Sequence, residues 1–459
     1  MRHAAKSWPA SIVLATCLTI SASSASAAEG PPRERAGATQ AEASLPGLDP
    51  FTHPPDFFPI LTWDKLRGWK PPYRDAQQGL ASIAECHFTI AGFVNVEDLP
   101  ACEKLGLMAL VPPDEKTAAA GREWLKLSDA QIDERVKGMV ARSRTSKAVL
   151  GYFIMDEPGV TAFPTLAKVV SAVKRHSPGK LAYINLYPSY ATVGAPDRSQ
   201  LGTATYAEYL ERFVREVRPQ LLSYDNYMVE YSDDLADAKK AAVYFADLLE
   251  VRRVSLKYGL PFWNVVSCNQ IRPMTTIPSP SNMALQAYTT LAAGGRGVSW
   301  FKYHQDAYHY APIDNSGQKT LTWRYLQAVN HQVRTLGPIM NRLRSTGVYF
   351  TSPPPAASAS VLSGEIIRQV WQVYPKESPR WLRGIELPLM VGEFVHKDGT
   401  DYVMIVNLSL ERSAKIGLET VKPYKTRQLI SAETGRAAPW DEKSGLWVLP
   451  GHGALVKFE

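Results

Sequence analysis

Residues 149–158 read Val-Leu-Gly-Tyr-Phe-Ile-Met-Asp-Glu-Pro, an apolar run that ends abruptly in two adjacent carboxylates. Apolar runs of this length, rich in aromatic and β-branched residues, are typical of a strand buried on both faces of a parallel sheet. An amphipathic pattern over 163–176 follows, and Ser177-Pro178-Gly179 then stops the helix before the next apolar run at 181–188. The stretch therefore predicts a strand, a helix and a second parallel strand in succession.

The alternation of β runs and amphipathic runs continues on both sides of this unit. The eight β runs are 58–64, 88–94, 107–112, 149–158, 181–188, 221–229, 260–270 and 297–304. Eight parallel strands within about 290 residues favour a closed (β/α)8 barrel over residues 51–345, with a doubly wound sheet as the alternative. No Gly-rich phosphate loop follows any of the runs, which disfavours that alternative.

The last part of the sequence, residues 346–459, has short β runs without intervening helices. Lys397-Asp398-Gly399 separates two of these runs and is typical of a hairpin turn. We therefore expect a small antiparallel β-sandwich domain after the barrel.

The N-terminal residues are typical of an export signal. Arg2 and Lys6 precede an apolar stretch from Ala10 to Ile20, and a run of small residues then ends at Ala27. We expect a signal peptide over residues 1–27, a flexible linker over 28–50, and a mature protein that is periplasmic or secreted. No later stretch is apolar enough to span a bilayer, so no transmembrane segment is expected.

The overall composition excludes several classes of protein. The 459-residue chain is 45% hydrophobic and 21% charged, which rules out a disordered or fibrous chain. Its net charge of +7 is spread without long basic runs, so nucleic acid is not an expected partner. Three cysteines follow the signal peptide, and Cys86 and Cys102 either pair in an oxidising compartment or are buried, like Cys268, as small apolar residues.

The strand end at Asp156 and Glu157 is the leading candidate for catalysis. In a barrel of this kind the active site lies at the carboxyl ends of the strands. Burial and the neighbouring like charge would both raise the pKa of one carboxyl group toward a value that suits a general acid. The alternative interpretation is that an acidic residue at a strand–helix junction stabilises the N-terminus of the helix.

Asp156-Glu157-Pro158 at the end of a fourth strand is similar to the Asn-Glu-Pro motif of clan A glycoside hydrolases, the β-galactosidase-like superfamily. The resemblance covers residues 51–345, and the β domain resembles those that follow the barrel in many such enzymes. It implies hydrolysis of O-glycosidic bonds in a polysaccharide or oligosaccharide, with Glu157 as the acid/base. It also implies that Asp156 replaces the Asn that holds the sugar 2-hydroxyl, so that this position accepts a hydrogen bond but donates none.

The sequence departs from that family at the seventh strand. Clan A enzymes place a nucleophilic Glu there, whereas no Asp or Glu occurs between Glu250 and Asp306. Asp225, at the end of the sixth strand, is the leading alternative for the second carboxylate, and Glu230 and Asp306 are weaker ones. A carboxylate two strands from Glu157 favours an inverting mechanism, in which about 6.5 to 9.5 Å between the two groups leaves room for water. A barrel that binds glycan without cleaving it is the second functional hypothesis.

Sugar sites combine aromatic faces with amide, hydroxyl and carboxylate groups, and such residues recur here at the ends of several strands. The predicted substrate-binding residues are Trp63, Asp64, Asp156, Asn185, Tyr187, Tyr227, Trp263, Asn264, Asn269, Gln270, Trp300, Tyr303 and His304. No Glu-x-x-His spacing supports a metal site, and no Gly-x-Ser-x-Gly elbow supports a serine hydrolase. We therefore expect a carbohydrate substrate, and no cofactor or metal.

Overall fold

The structure is a computed structural model, and it describes most of the chain from residue 45 onward. The described residues are 45–46, 48–64, 79–113, 121–191, 198–232, 234–235, 237–356, 358–372, 387–440 and 445–459. The predicted signal peptide, residues 1–27, and most of the predicted linker, residues 28–50, lie outside these ranges.

Eight parallel strands close into a barrel in chain order. They are β1 (Ile60–Trp63), β2 (Ile90–Phe93), β3 (Met108–Val111), β4 (Val149–Asp156), β5 (Leu181–Leu186), β6 (Leu222–Asp225), β7 (Phe262–Ser267) and β8 (Gly297–Phe301). The pairing of β8 with β1, which sets Leu61 opposite Ser299, completes the ring. Every strand falls within a predicted β run, so the (β/α)8 barrel is confirmed and the doubly wound sheet is excluded.

Helices surround the barrel, and local sequence signals set their ends. Within the described residues they are α1 (Leu80–Glu85), α2 (Leu99–Leu105), α3 (Asp129–Ser143), α4 (Phe163–His176), α5 (Tyr206–Arg212), α6 (Ala241–Tyr258), α7 (Pro280–Ala292) and α8 (Leu321–Met340). Ser128 and Gln131 form a capping box that begins α3, and Gly259, with φ of 66°, ends α6. None of these helices is long and apolar enough to cross a membrane.

Aromatic side chains fill the lower part of the barrel interior. The ring centroids of Trp63 and Phe93 are 5.0 Å apart, and those of Tyr183 and Trp263 are 5.8 Å apart. Phe51 closes the N-terminal end of the strands, where its N–H donates to the carbonyl of Gln220 and its ring lies 5.9 Å from Trp263. Because this end is a packed core, the carboxyl ends of the strands are where a ligand can enter.

The C-terminal region is a sandwich of two antiparallel sheets, as expected. Its strands are β9 (Leu343–Phe350), β10 (Ile367–Gln372), β11 (Leu389–His396), β12 (Asp401–Asn407), β13 (Ala414–Thr420), β14 (Arg427–Ile430), β15 (Ala437–Pro439), β16 (Leu446–Val448) and β17 (Gly453–Phe458). Six strands form one sheet, in the order β15-β14-β17-β12-β11-β9, and β10-β13-β16 form the other. One face of the six-stranded sheet contacts α7, and its other face shares an apolar core with the three-stranded sheet.

The three cysteines of the described chain are buried free thiols. Cys86 and Cys102 are each 0% exposed, and burial raises the pKa of Cys102 to about 12. The hypothesis that these residues act as small apolar side chains therefore agrees with the structure, and no disulfide joins them.

Phe51→Ala should lower the free energy of unfolding by about 3 to 5 kcal/mol, because it leaves a cavity against Trp263 at the closed end of the barrel. Chemical denaturation measures the change. Leu256→Ala, at a side chain that is 44% exposed on α6, is the control and should cost less than about 1 kcal/mol. Equal losses in the two variants would contradict the role of Phe51 as the residue that closes the barrel.

Candidate active site

The two carboxylates that end β4 serve the same pocket, although successive residues of a strand normally face opposite sides of the sheet. Glu157 has φ of 49°, in the left-handed region, and its N–H donates to the carbonyl of Asn185 at 2.9 Å. Such backbone conformations are costly for a residue with a side chain and concentrate at functional sites. The turn ends the strand and brings the Glu157 carboxyl group within the electrostatic reach of Asp156 and Asp225.

The amide of Asn185 connects the carboxylates of two different strands. Its Nδ2 donates to Oδ1 of Asp156 at 3.2 Å and to Oδ1 of Asp225 at 3.3 Å. The Ser223 hydroxyl donates to Oδ1 of Asn185 at 3.0 Å, so Ser223 accepts from the Tyr183 hydroxyl at 2.8 Å. This directional chain orients the amide so that its N–H groups, not its oxygen, point at the carboxylates.

Burial and mutual repulsion raise the pKa values of two carboxyl groups in this cluster. For Glu157 the largest cause of its raised pKa is desolvation, and the charges of Asp225 and Asp156 add to it. Desolvation, and then the charge of Asp156, raise the pKa of Asp225 to about 8, although hydrogen bonds from Tyr227 and Asn185 oppose the shift by stabilising its ionised form. Both carboxyl groups therefore favour the protonated form more than a free carboxyl group does.

Tyrosines line the space around the carboxylates. Tyr187 and Tyr227 both lie close enough to Glu157 for its charge to raise their pKa values, although burial is the larger cause. The Tyr227 ring packs against Phe301 at the end of β8, with 5.4 Å between the centroids. The structure thus brings together six of the predicted residues: Asp156, Glu157, Asn185, Tyr187, Asp225 and Tyr227.

Asp64 and His304 join the ends of β1 and β8 at the rim. The carboxylate of Asp64 accepts from the backbone N–H of His304 at 2.9 Å, and Asp64 is 4% exposed. Trp63 lies in the aromatic layer of the interior and is 6% exposed. The hydrogen bond of Asp64 holds the loop that follows β8, and no contact joins these three predicted residues to the carboxylate cluster among the described interactions.

The end of β7 carries no carboxylate of its own, and the two weaker alternatives differ in their surroundings. The Glu230 side chain accepts a hydrogen bond from Ser267 at the end of β7, and burial raises the pKa of Glu230 to about 8. Asp306 is exposed and pairs with Lys302 at 2.7 Å. Asp225 is the one of the three that shares hydrogen bonds with the network around Asp156.

Four of the predicted substrate-binding residues are corrected by the structure, because their side chains pack away from the strand ends. Trp263 is fully buried in the lower interior, and Asn264 donates outward to Tyr244 and Thr290. The Trp300 indole donates to Asn330 of α8 at 2.7 Å. The Tyr303 hydroxyl accepts from Trp323 of α8 at 2.9 Å. Period-two alternation explains Asn264, Trp300 and Tyr303, whose side chains point at the helices, whereas Trp263 points inward but lies near the N-terminal end of β7.

Two further predicted residues belong to a loop beyond β7. The side-chain amide of Gln270 donates to the carbonyl of Thr275 at 2.8 Å, and its backbone pairs with His309. Asn269 is fully buried, and its N–H donates to the Ser267 hydroxyl. Gln270 and Asn269 therefore brace the loop, and the structure assigns neither to the carboxylate cluster.

Sequence reasoning missed three residues that act on the cluster. Ser223 orients Asn185, Tyr190 lies near the charges of Asp225 and Glu157, and Arg122 lowers the pKa of Glu157. The alternation of β6 points Ser223 to the same face as Asp225, so Ser223 could have been found from the sequence. Tyr190 and Arg122 lie outside the strands, where the spacing of residues does not predict which way a side chain points.

A family model matches part of the chain. The glycoside hydrolase family 42 model, described as β-galactosidase, matches residues 201–336. This segment spans β6 to β8 and includes Asp225, whereas Glu157 precedes it. No curated protein sequence matches the chain.

Solved structures resemble the chain at low sequence identity. A catalytic mutant of a GH42 β-galactosidase from G. stearothermophilus is 9% identical, with a TM-score of 0.56, and the match covers 88% of this chain and 98% of that one. The β-galactosidase of the psychrophilic Marinomonas ef1 is 12% identical, with a TM-score of 0.44 and coverages of 63% and 62%. The cold-adapted β-galactosidase of Rahnella sp. R3 is 10% identical, with a TM-score of 0.49 and coverages of 65% and 59%. This chain thus spans less than two thirds of those two proteins.

The likeness to the G. stearothermophilus structure and the match to the family 42 model together identify the fold as that of a clan A glycoside hydrolase barrel with a C-terminal β region.

Asp225→Asn should lower the pKa of Glu157 more than Asp156→Asn does, because Asp225 is the larger of the two charges that raise it. Carbon NMR of protein labelled at the Glu carboxyl carbons, followed through a pH titration, measures both variants. Asp314→Asn, in an exposed turn, is the control and should leave the pKa of Glu157 unchanged. A larger fall in the Asp156 variant would contradict the assignment of Asp225 as the main charged neighbour.

Proposed function

We propose that this chain is a glycoside hydrolase that cleaves O-glycosidic bonds of an oligosaccharide or polysaccharide, with Glu157 as general acid and Asp225 as general base. The observation that carries the proposal is the pairing of these two carboxyl groups at the carboxyl ends of β4 and β6. Both have raised pKa values, yet hydrogen bonds stabilise the charge of Asp225. Carboxyl pairs whose surroundings differ in this way divide the roles of acid and base.

Glu157 suits the acid because burial and the charges of Asp225 and Asp156 raise its pKa, which favours the protonated form that a general acid needs. During cleavage its proton would pass to the glycosidic oxygen while the bond from that oxygen to the anomeric carbon breaks. Departure of the neutral alcohol leaves Glu157 ionised. The charge of Arg122, which lowers the pKa of Glu157, favours that ionised form.

Asp225 suits the base because Tyr227 and Asn185 both donate to its carboxylate. A water molecule between Asp225 and the sugar would give its proton to Asp225 as its oxygen bonds to the anomeric carbon. Asp225 lies two strands from Glu157, and strands spaced about 4.8 Å apart separate the two backbones by roughly 10 Å. That separation favours the gap of an inverting enzyme. A substitution of Asp225 is then expected to remove the general base of the reaction, not a nucleophile that forms a covalent intermediate.

Asp156, Tyr187 and Tyr227 are proposed to hold the sugar beside the reacting carboxyl groups. A carboxylate accepts hydrogen bonds from sugar hydroxyls, and the tyrosine rings offer faces for the C–H surfaces of a pyranose. The match to a β-galactosidase family makes aryl β-galactosides the first probes for activity.

The second candidate function is a barrel that binds glycan without cleaving it. The observation that favours it is the lack of an acidic residue between residues 250 and 306.

We also propose that the chain acts after export. The support is the sequence of residues 1–27, in which two basic residues, an apolar stretch and a small-residue run follow in the order of a signal peptide. An external location would bring the barrel to polymeric glycans that do not enter a cell.

Glu157→Gln should lower kcat/KM on an unactivated oligosaccharide by about 100-fold to 10,000-fold, because the leaving alcohol then lacks a proton donor. The same variant should lose far less on a dinitrophenyl glycoside, whose leaving group departs without protonation. Steady-state kinetics on the two substrates gives the comparison.

The matched control is Glu134→Gln, a glutamate that is exposed on α3. It should keep the rate of the unchanged chain on both substrates. Equal losses by Glu157→Gln on both substrates would contradict the acid role, and the absence of turnover in the unchanged chain over a broad glycan panel would favour the non-catalytic binder.

The first product released should have the opposite anomeric configuration to the substrate. Proton NMR of the reaction in its first minutes distinguishes the anomers before mutarotation. Asp225→Ala should abolish this product, because the attacking water loses its base. A first product with the configuration of the substrate would contradict inversion and the role of Asp225 as base.

A further inference from the structure

Within the described residues, the three-stranded sheet of the C-terminal region packs one of its faces on the six-stranded sheet. Its strands alternate, so that Ile416, Leu418, Leu446 and Val448 face the six-stranded sheet and are buried. The six-stranded sheet in turn contacts α7 of the barrel. The opposite face of β10, β13 and β16, called here the outer face, therefore points away from both domains.

Two tryptophans stand on this outer face. Trp371 of β10 is 44% exposed and Trp447 of β16 is 58% exposed. Among the tryptophans of the described residues they are the two exposed ones, since the others are buried or half-buried. Exposed aromatic rings with a polar or charged surround are well suited to contact sugar rings, because they offer an apolar face beside hydrogen-bonding groups.

The sheet register places the two indoles on either side of β13. Trp371 lies opposite Gly417, and Trp447 lies opposite Lys415. Positions 415 and 417 are two residues apart and so share a face. Two strand spacings and an offset of two residues along the strands place the two tryptophans roughly 12 Å apart. This distance suits two sugar rings of the same glycan chain that have at least one ring between them.

Gly417 allows the Trp371 ring to lie flat on the sheet. A Cβ atom at position 417 would meet the Trp371 ring at 2.5 Å, closer than any real contact. On the other side of β13, the ammonium group of Lys415 lies 5.9 Å from the centroid of Trp447. The Trp371 ring therefore lies against the backbone of Gly417 and is 44% exposed.

The surroundings of Trp371 have an excess of positive charge. A shallow cavity of about 350 Å³ beside the ring is lined by Arg368, Lys422 and Arg427 and by one acid, Glu419. Arg368 pairs with Glu419 at 3.0 Å, and Lys422 pairs with Asp401 at 2.8 Å. Among the described residues, Arg368, Lys422 and Lys415 give this surface three cations against the carboxylates of Glu419 and Asp401, and Arg427 of β14 lies at its edge, where it donates to the carbonyl of Leu418. The charge is complementary to an anionic ligand.

We propose that the outer face binds an acidic glycan, a polysaccharide whose sugar rings carry carboxylate groups. Two of its rings would stack on Trp371 and Trp447, and its carboxylates would lie toward the cations around them. Aromatic faces recognise sugar C–H surfaces, and the cations select the charged chain. This surface is separate from the barrel cluster and does not depend on the proposed hydrolase activity.

The experiment is affinity electrophoresis of the full chain in gels that contain polygalacturonate. The unchanged chain should be retarded, and the double variant Trp371→Ala and Trp447→Ala should lose at least about 10-fold in affinity, as is typical when a stacking ring is removed. Arg368→Gln with Lys415→Gln, which keeps both rings, should weaken the retardation and reduce its salt dependence. Circular dichroism and thermal melting verify that the variants are folded.

The matched control is Leu321→Ala, at an apolar side chain that is 64% exposed at the start of α8. It should bind polygalacturonate as the unchanged chain does. Equal retardation of the double tryptophan variant would overturn the proposal, and so would stronger retardation by a neutral galactan than by polygalacturonate. Turnover of an aryl glycoside is measured in parallel, because its absence would contradict the hydrolase proposal alone and leave the binding result unaffected.

Discussion

The amide of Asn185 lies between two carboxylates that would otherwise repel each other, and the arrangement of the pocket depends on this contact. Tyr183 and Ser223 set its orientation from below through a chain of hydrogen bonds. An amide turned the other way would present its oxygen to both carboxylates. The oxygen would repel them, so they would have to move apart or bind protons. With the N–H groups turned toward the carboxylates, the hydrogen bond from Asn185 opposes the rise in the pKa of Asp225, and the charge of Asp225 when it is ionised raises the pKa of Glu157.

The barrel gives this network its low-dielectric surroundings. Aromatic rings, Phe51 and Trp63 among them, fill the interior below the strand ends. The same packing explains why several aromatic residues that were predicted to contact sugar do not lie at the site. Trp263 belongs to the lower interior, while Trp300 and Tyr303 lie between the strands and α8. Strand alternation alone tells which residues share a side, but not which side is the interior of a closed barrel.

The two carbohydrate sites that we propose would bind their ligands by different physical means. The pocket presents buried, hydrogen-bonded carboxyl groups, whereas the outer face of the C-terminal sheet presents exposed indoles and cations. A second binding surface raises the local concentration of a polymeric ligand without any change in the pocket. Because the six-stranded sheet lies between this face and α7, changes at Trp371 and Trp447 should not disturb the barrel.

The eight strands, the helix-free C-terminal region and the position of Asp156 and Glu157 at a strand end could be predicted from the sequence. Hydrophobic periodicity and turn residues are local properties, so a short segment such as 149–158 contains all the information that predicts its strand. The contacts of Asn185 with Asp156 and Asp225, of Glu230 with Ser267, and of Trp371 with Gly417 could not be predicted in this way. These contacts join residues that are far apart in the chain, and their geometry follows from barrel closure and sheet register, which no local pattern records.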